Sequence, residues 1–137
     1  EFYFSRIMAE VKQVQITNLK PGRYVVIDGI ACKVTKMDVS KPGKHGHAKC
    51  RVEAVGLIRG EKKVIVLPGH DKIDSPVIEK RSAQVLSVHN GVANVMDEEN
   101  FETFDLKIPE ELEEKTEAGI KVLYWVVLDE KVLMEIK

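Results

Sequence analysis

The chain runs Cys32-Lys33-Val34-Thr35-Lys36-Met37-Asp38-Val39, turns through Ser40-Lys41-Pro42-Gly43-Lys44-His45-Gly46-His47, and continues Ala48-Lys49-Cys50-Arg51-Val52-Glu53-Ala54-Val55. Both flanks alternate in polarity, and the segment between them carries Pro and Gly. The stretch therefore predicts a β-hairpin with residues 40–49 around its tip. Pro42 pre-sets φ for the first corner of a turn, Gly43 accepts the positive φ of the second, and Gly46 frees the backbone beyond it. That arrangement presents Lys44 to solvent on a stiff base. On the descending strand Lys49, Arg51 and Glu53 share one face, while Cys50, Val52 and Ala54 share the other. A lysine on a Pro-Gly turn is by itself compatible with plain surface decoration. A nucleotide-binding phosphate loop is excluded: Asp38 stands where its first Gly belongs, and His45 replaces the Ser or Thr that would meet magnesium.

Short strands continue on both sides. Residues 11–16 alternate and end at the turn Asn18-Leu19-Lys20-Pro21-Gly22. Residues 23–27 lead into Asp28-Gly29, a two-residue hairpin turn whose twist matches its flanks. Residues 30–39 and 48–58 form the long hairpin, with Gly56 marking a bulge or bend. Residues 62–67 follow, and Pro68-Gly69 closes the run. Five or six short strands joined by tight turns predict a small barrel. In the second half, Asn90-Gly91 joins residues 83–89 to 92–97, residues 101–106 make a third strand, and residues 122–128 and 131–137 flank Asp129-Glu130. Residues 109–115 are the single helix candidate, with Pro109 in the first turn and glutamates at the positive end of the dipole. Five strands with a helix before the last pair predict an OB-like barrel, so the fold class is all-β. The second half does not repeat the sequence of the first.

The formal net charge of −1 conceals a change of sign. Residues 8–75 carry 13 Lys and Arg against 7 Asp and Glu, whereas residues 76–137 carry 7 against 14. Such a switch predicts two units with different partners. A basic front half suits polyanions, because each Lys or Arg near a phosphate releases condensed counterions. The boundary is expected near Asp74-Ser75-Pro76. Residues 1–7 lack an initiating Met, a basic leader and a long apolar stretch, so they read as an appended remnant rather than a signal peptide, with Met8 as the start. Two cysteines give no disulfide framework and no apolar run reaches the length of a membrane span, so a cytoplasmic protein without a membrane partner is expected.

Other constellations carry less. Phe101, Phe104, Tyr124 and Trp125 lie among acidic residues, which favours core packing over base stacking. His45, His47, Cys32 and Cys50 would make a zinc site only if the strands brought them together. Their spacing matches no finger and both cysteines fall on buried faces, so no metal is expected. His70 and His89 read as surface or turn residues. No nucleophile, base and orienting group converge, and the chain reads as a substrate of chemistry rather than an enzyme.

The stretch Ser40-Lys41-Pro42-Gly43-Lys44-His45-Gly46, with Ala48-Lys49 after it, closely resembles the modification loop of the archaeal translation initiation factor 5A family, the hypusine-containing proteins. Leu19-Lys20-Pro21-Gly22-Arg23-Tyr24-Val25-Val26-Ile27-Asp28-Gly29 resembles that family's opening strand and turn. Pro76-Val77-Ile78-Glu79-Lys80-Arg81 and Ala83-Gln84-Val85 resemble its entry into the second domain, and Val95-Met96-Asp97 and Glu102-Thr103-Phe104 fit as well. The resemblance covers nearly the whole chain from Met8, with His47 and Cys50 departing from a small residue and an Ala. It implies an SH3-like barrel over residues 8–75 that carries the loop, followed by an OB-fold with one short helix over residues 76–137. It implies that Lys44 is the modified lysine, receiving an aminobutyl group from spermidine through deoxyhypusine synthase with NAD, and that no cofactor is otherwise bound. The modification loop would comprise Ser40, Lys41, Pro42, Gly43, His45, Gly46, His47, Ala48 and Lys49. The function implied is that of a ribosome-binding translation factor, monomeric when free, that docks beside peptidyl-tRNA and promotes peptide-bond formation and elongation, notably at proline-rich stalls. Lys36, Lys41, Lys44, Lys49 and Arg51 are the expected RNA contacts. The competing class is a two-barrel RNA-binding or interaction module whose loop lysine only touches phosphate.

Overall fold

A computed structural model describes residues 11–41 and 48–137. The chain divides into two compact units, Glu1–Val77 and Ile78–Lys137. The first unit contains β1 (Val11–Gln15), β2 (Tyr24–Ile27), β3 (Ile30–Ser40), β4 (Lys49–Gly56), β5 (Lys62–Pro68) and β6 (Lys72–Pro76). Strands β2-β3-β4-β5 form one antiparallel sheet, and β1 pairs with β6 in another. This is the SH3-like barrel of short, strongly turned strands. Its core gathers Ile16, Val25, Val34, Cys50, Val52 and Ile73 from both sheets. Asp28 and Gly29 both take positive φ, 54° and 75°, as a two-residue turn of the favoured hand requires.

Two details differ from the sequence reading. The ladder pairs Val34 with Ala54 but Lys36 with Glu53, so the bulge lies at Thr35 on β3, while Gly56, expected as a bulge or bend, ends β4 where the chain turns. The Thr35 hydroxyl donates to the Glu53 carbonyl at 3.1 Å, which stabilises the extra residue. The bulge lets Met37 turn inward and pack on the core while Lys36 and Asp38 stay exposed. Strand β6 follows Pro68-Gly69, where the strand run was expected to close. Its short, polar stretch is held by pairing with β1, from Val11 opposite Pro76 to Gln15 opposite Lys72.

The second unit contains β7 (Glu79–His89), β8 (Val92–Asp97), β9 (Thr103–Lys107), β10 (Lys121–Val127) and β11 (Glu130–Ile136). The order β11-β10-β7-β8-β9, antiparallel throughout, is that of a five-stranded OB barrel. Asn90 and Gly91, at φ of 50° and 76°, make the expected hairpin turn. The helix expected over 109–115 is only a single 3-10 turn, Glu110–Leu112. Leu112 alone packs on the core there, and both the Thr116 hydroxyl and its N–H donate to the Leu112 carbonyl, which ends the turn. A segment so short with one apolar anchor cannot propagate a helix. The last hairpin turns at Leu128-Asp129, not Asp129-Glu130, because Val127 pairs with Glu130. Among the described residues, no helix is long and apolar enough to cross a membrane.

Asp97, wholly buried at the end of β8, ties this unit together. Arg81 on β7 donates to both its carboxylate oxygens, from Nε at 2.7 Å and from Nη2 at 3.0 Å. The Tyr124 hydroxyl on β10 donates to Oδ2. The N–H groups of Glu99 and Asn100 donate to Oδ1 at 2.8 and 3.0 Å. The Arg81 guanidinium holds the Asp97 carboxyl well below the usual carboxylate range. Burial, and then the bond to Asp97, push the Tyr124 phenol up to about 12.

A depressed folded value means that Asp97 contributes its full stabilisation above the ordinary aspartate value near ~4 and loses it progressively as pH falls below that. Asp97→Asn takes the buried carboxylate from Arg81, leaving it only the exposed Glu79 and Glu99, and is expected to cost about 3–5 kcal/mol at neutral pH. The chain's only Trp is Trp125, which lies in this unit, so denaturation followed by Trp emission measures the loss directly. The same titration should show wild type losing stability faster than Asp97→Asn between neutral and acid pH. Parallel curves would remove Asp97 as the acid-sensitive group.

Candidate functional site

The long hairpin outruns its own core. On β3 the buried positions stop at Val34, with Met37 half-buried, and Asp38, Val39 and Ser40 are exposed. On β4 the last buried residue toward the tip is Cys50, and Lys49 beyond it is exposed. The final rung pairs Ser40 with Lys49. Exposed Lys41 and half-buried Ala48 lie just past that rung. Pro42, Gly43, Lys44, His45, Gly46 and His47 lie outside the described residues. What the structure gives of the expected site is its two roots.

The expected cationic contacts separate into two groups. Lys36 Nζ lies 3.7 Å from Asp38 Oδ2, and Arg51 pairs with Glu53 through Nη1 and Oε2. Across the ladder Lys36 faces Glu53 and Asp38 faces Arg51, so the outer face is a checkerboard of opposite charges. Lys41 and Lys49 have no carboxylate within ion-pair distance among the described residues. Lys36 and Arg51 are already engaged, in pairs that exposure makes individually weak.

The cysteines cannot serve one metal ion. Cys32 pairs with Gly56 and Cys50 with Val39, seven residues further along β3, which separates them by roughly 20 Å at ~3.3 Å per residue. Both are wholly buried, and burial pushes both thiols up. They act as small apolar core residues.

Nor does the second unit offer a stacking platform. Tyr124 and Trp125 are buried, and Phe104 meets Tyr124 edge-on at 5.1 Å between centroids. Lys131 caps the Phe104 ring at 4.0 Å and Lys80 the Trp125 ring at 5.1 Å. Only Phe101 is well exposed, in the turn between β8 and β9. The rungs of β8 and β9, the strands that carry ligands in many OB-folds, are Met96–Thr103, Asn94–Asp105 and Val92–Lys107 on the outer face. Asn94 donates to Asp105 at 2.9 Å. That face has no aromatic residue and spends its one carboxylate internally.

A feature absent from the sequence reading is the fit at the second root. The Gly69 N–H donates to the Ala48 carbonyl at 2.8 Å, and Gln15, Thr17, Ala48, Gly69 and His70 line a cavity of about 300 Å³ there. Pro68-Gly69 reads in sequence as a simple turn, and no local signal distinguishes the tertiary contact.

Comparison with known proteins places these roots in a family. Residues 9–70 match the family model described as translation initiation factor 5A-like, N-terminal. Translation initiation factor 5A of Methanothermobacter thermautotrophicus is 46% identical over 126 residues, covering 92% of this chain and 97% of that protein. The Pyrococcus furiosus protein of the same name is 42% identical over 134 residues, with 95% and 97% covered. The solved structure described as eukaryotic translation initiation factor 5A from Methanococcus jannaschii superposes with a TM-score of 0.87 at 38% identity, covering 95% of this chain and 97% of that one. With sequence and fold in common over nearly its full length, the chain belongs to the translation initiation factor 5A family.

Proposed function

We propose that this translation factor acts on the ribosome after modification of Lys44. Deoxyhypusine synthase, using NAD, transfers the aminobutyl arm of spermidine to the Lys44 amine. The three-carbon diamine remainder of spermidine leaves. The observation that carries this reading is the pairing pattern on the hairpin: among the described residues, Lys41 and Lys49 next to the loop have no carboxylate partner, while Lys36 and Arg51 a few rungs away are paired. Positive charge concentrated at the end of a projecting hairpin suits a backbone of phosphates.

The chemistry asked of Lys44 is simple. Its amine must be reachable and must enter a narrow active site on a slender loop, conditions that Pro42, Gly43 and Gly46 serve. Once extended, the side chain is a long polyamine-like cation able to hydrogen-bond phosphates and ribose hydroxyls. It reaches toward the acceptor end of the peptidyl-tRNA and holds it in a productive geometry without acting as a base. Small misplacements of reacting groups cost rate heavily, so slow donors such as proline gain most from such positioning. In this reading the factor works in the cytoplasm, free as a monomer, and is not itself an enzyme.

Lys44→Arg keeps the charge but replaces a transferable amine with a planar guanidinium. The variant is expected to melt with the wild type, gain no aminobutyl mass with the synthase, and leave translation through proline runs stalled in a reconstituted system. Relief of the stall equal to that given by modified wild type would defeat the proposal.

Ribosome affinity supplies a second check. Neutralising Lys41 or Lys49 to Gln is expected to lower the slope of log affinity against log salt by about one each. The same change at Lys36 or Arg51 should alter it clearly less, because each already faces its own carboxylate. Equal effects at all four positions would show that the internal pairs dissolve on binding.

A further inference from the structure

Gly69 lies between β5 and β6, outside the lysine loop, and its φ is not in the left-handed region. Any residue could follow its backbone, so what calls for glycine here is space. A Cβ at this position would lie 3.3 Å from the Ala48 Cβ, 3.3 Å from the Ala48 carbonyl oxygen and 3.4 Å from Thr17 Cγ2. The Gly69 N–H holds that same carbonyl at 2.8 Å. Thr17 sits in the 3-10 turn Ile16–Asn18, which is anchored by the buried Ile16 and by the bond from its N–H to the Asp71 carbonyl at 3.0 Å. Three segments distant in sequence thus meet on one small residue. Ala48 is where the chain re-enters the sheet after the loop, while Ser40, where it leaves, is fixed by its rung with Lys49.

We infer that Gly69 is a positioning residue for the modification of Lys44, holding the return root of the loop through Ala48; this rests on Lys44 being the modified lysine. An enzyme that takes up the chain between Ser40 and Ala48 meets a span whose ends are already set, which lowers the ordering cost of binding. Crowding Gly69 pushes Ala48 aside by a few tenths of an ångström, and the adjoining cavity of about 300 Å³ gives it room to move without unfolding the barrel.

The test uses the full chain with purified deoxyhypusine synthase, spermidine and NAD. Gly69→Ala is expected to raise the KM for the protein about fivefold and to change kcat by less than about twofold, since the transfer chemistry is untouched. Adding Ala48→Gly removes the methyl group that the new side chain meets and should recover at least half of the loss. Hydrogen exchange of the Gly69 amide, faster in Gly69→Ala and slowed again in the double variant, reports the contact without the enzyme. If Gly69→Ala fails to fold, adding Thr17→Ala, at an exposed position, removes the Cγ2 that the new Cβ also meets, and the folded double variant should still show a raised KM. A wild-type KM in the folded variant, or a rise that Ala48→Gly does not relieve, overturns the inference. A wild-type chain that takes no aminobutyl group defeats the reading of Lys44 instead, and the amide exchange still reports on the contact by itself.

Discussion

The antiparallel ladder between Ile30–Ser40 and Lys49–Gly56 is the constraint on which the first unit depends. Its lower rungs supply Cys32, Val34, Val52 and Ala54 to the core. Its upper rungs carry the chain beyond any core, to Ser40 and Lys49. One backbone device thus both closes a barrel and projects a loop. The bulge at Thr35 makes the two tasks compatible: by inserting a residue it resets the alternation, so that Met37 faces inward while the charged checkerboard faces out.

The second unit solves a different problem, with a charge at its centre. Asp97 spends its oxygens on Arg81, Tyr124 and two turn amides, linking three strands and the β8–β9 turn. A carboxylate so fully satisfied offers nothing to a ligand, and Phe104, Tyr124 and Trp125 are covered by packing or by lysines. The unit's acidic surface is therefore set over a self-contained interior. The excess of positive charge lies in the first unit, where residues 8–75 carry 13 Lys and Arg against 7 Asp and Glu.

Local chemistry made much of this legible in advance. Asp28-Gly29 and Asn90-Gly91 announce their hairpins because both residues of each turn must accept positive φ. The alternation from Lys49 to Ala54 fixed which side chains are buried. What escaped notice depends on partners far along the chain. Strand β6 is defined by β1, and the Thr35 bulge by the facing residues Ala54 and Glu53. The Leu128-Asp129 turn places a leucine at φ of 49° because the flanking register demands it, against its own preference. Glutamates after a proline predicted a helix that lacked the apolar contacts to extend. At the candidate site, Lys49 begins β4 opposite Ser40 and Lys41 lies just past that rung, whereas sequence grouped both with the loop. It gave no warning that Lys36 and Arg51 are engaged, or that Gly69 meets Ala48.

The overshoot of the hairpin has a consequence for how such a protein can vary. From Asp38 to Lys41 on one strand, and at Lys49 and Arg51 on the other, side chains are exposed. Exchanges at exposed positions of this kind shift stability by roughly half a kcal/mol or less. Folding therefore exerts almost no filter at those exposed positions. Any restriction on which residues those positions accept in a mutational library then reports on recognition rather than on whether the domain folds.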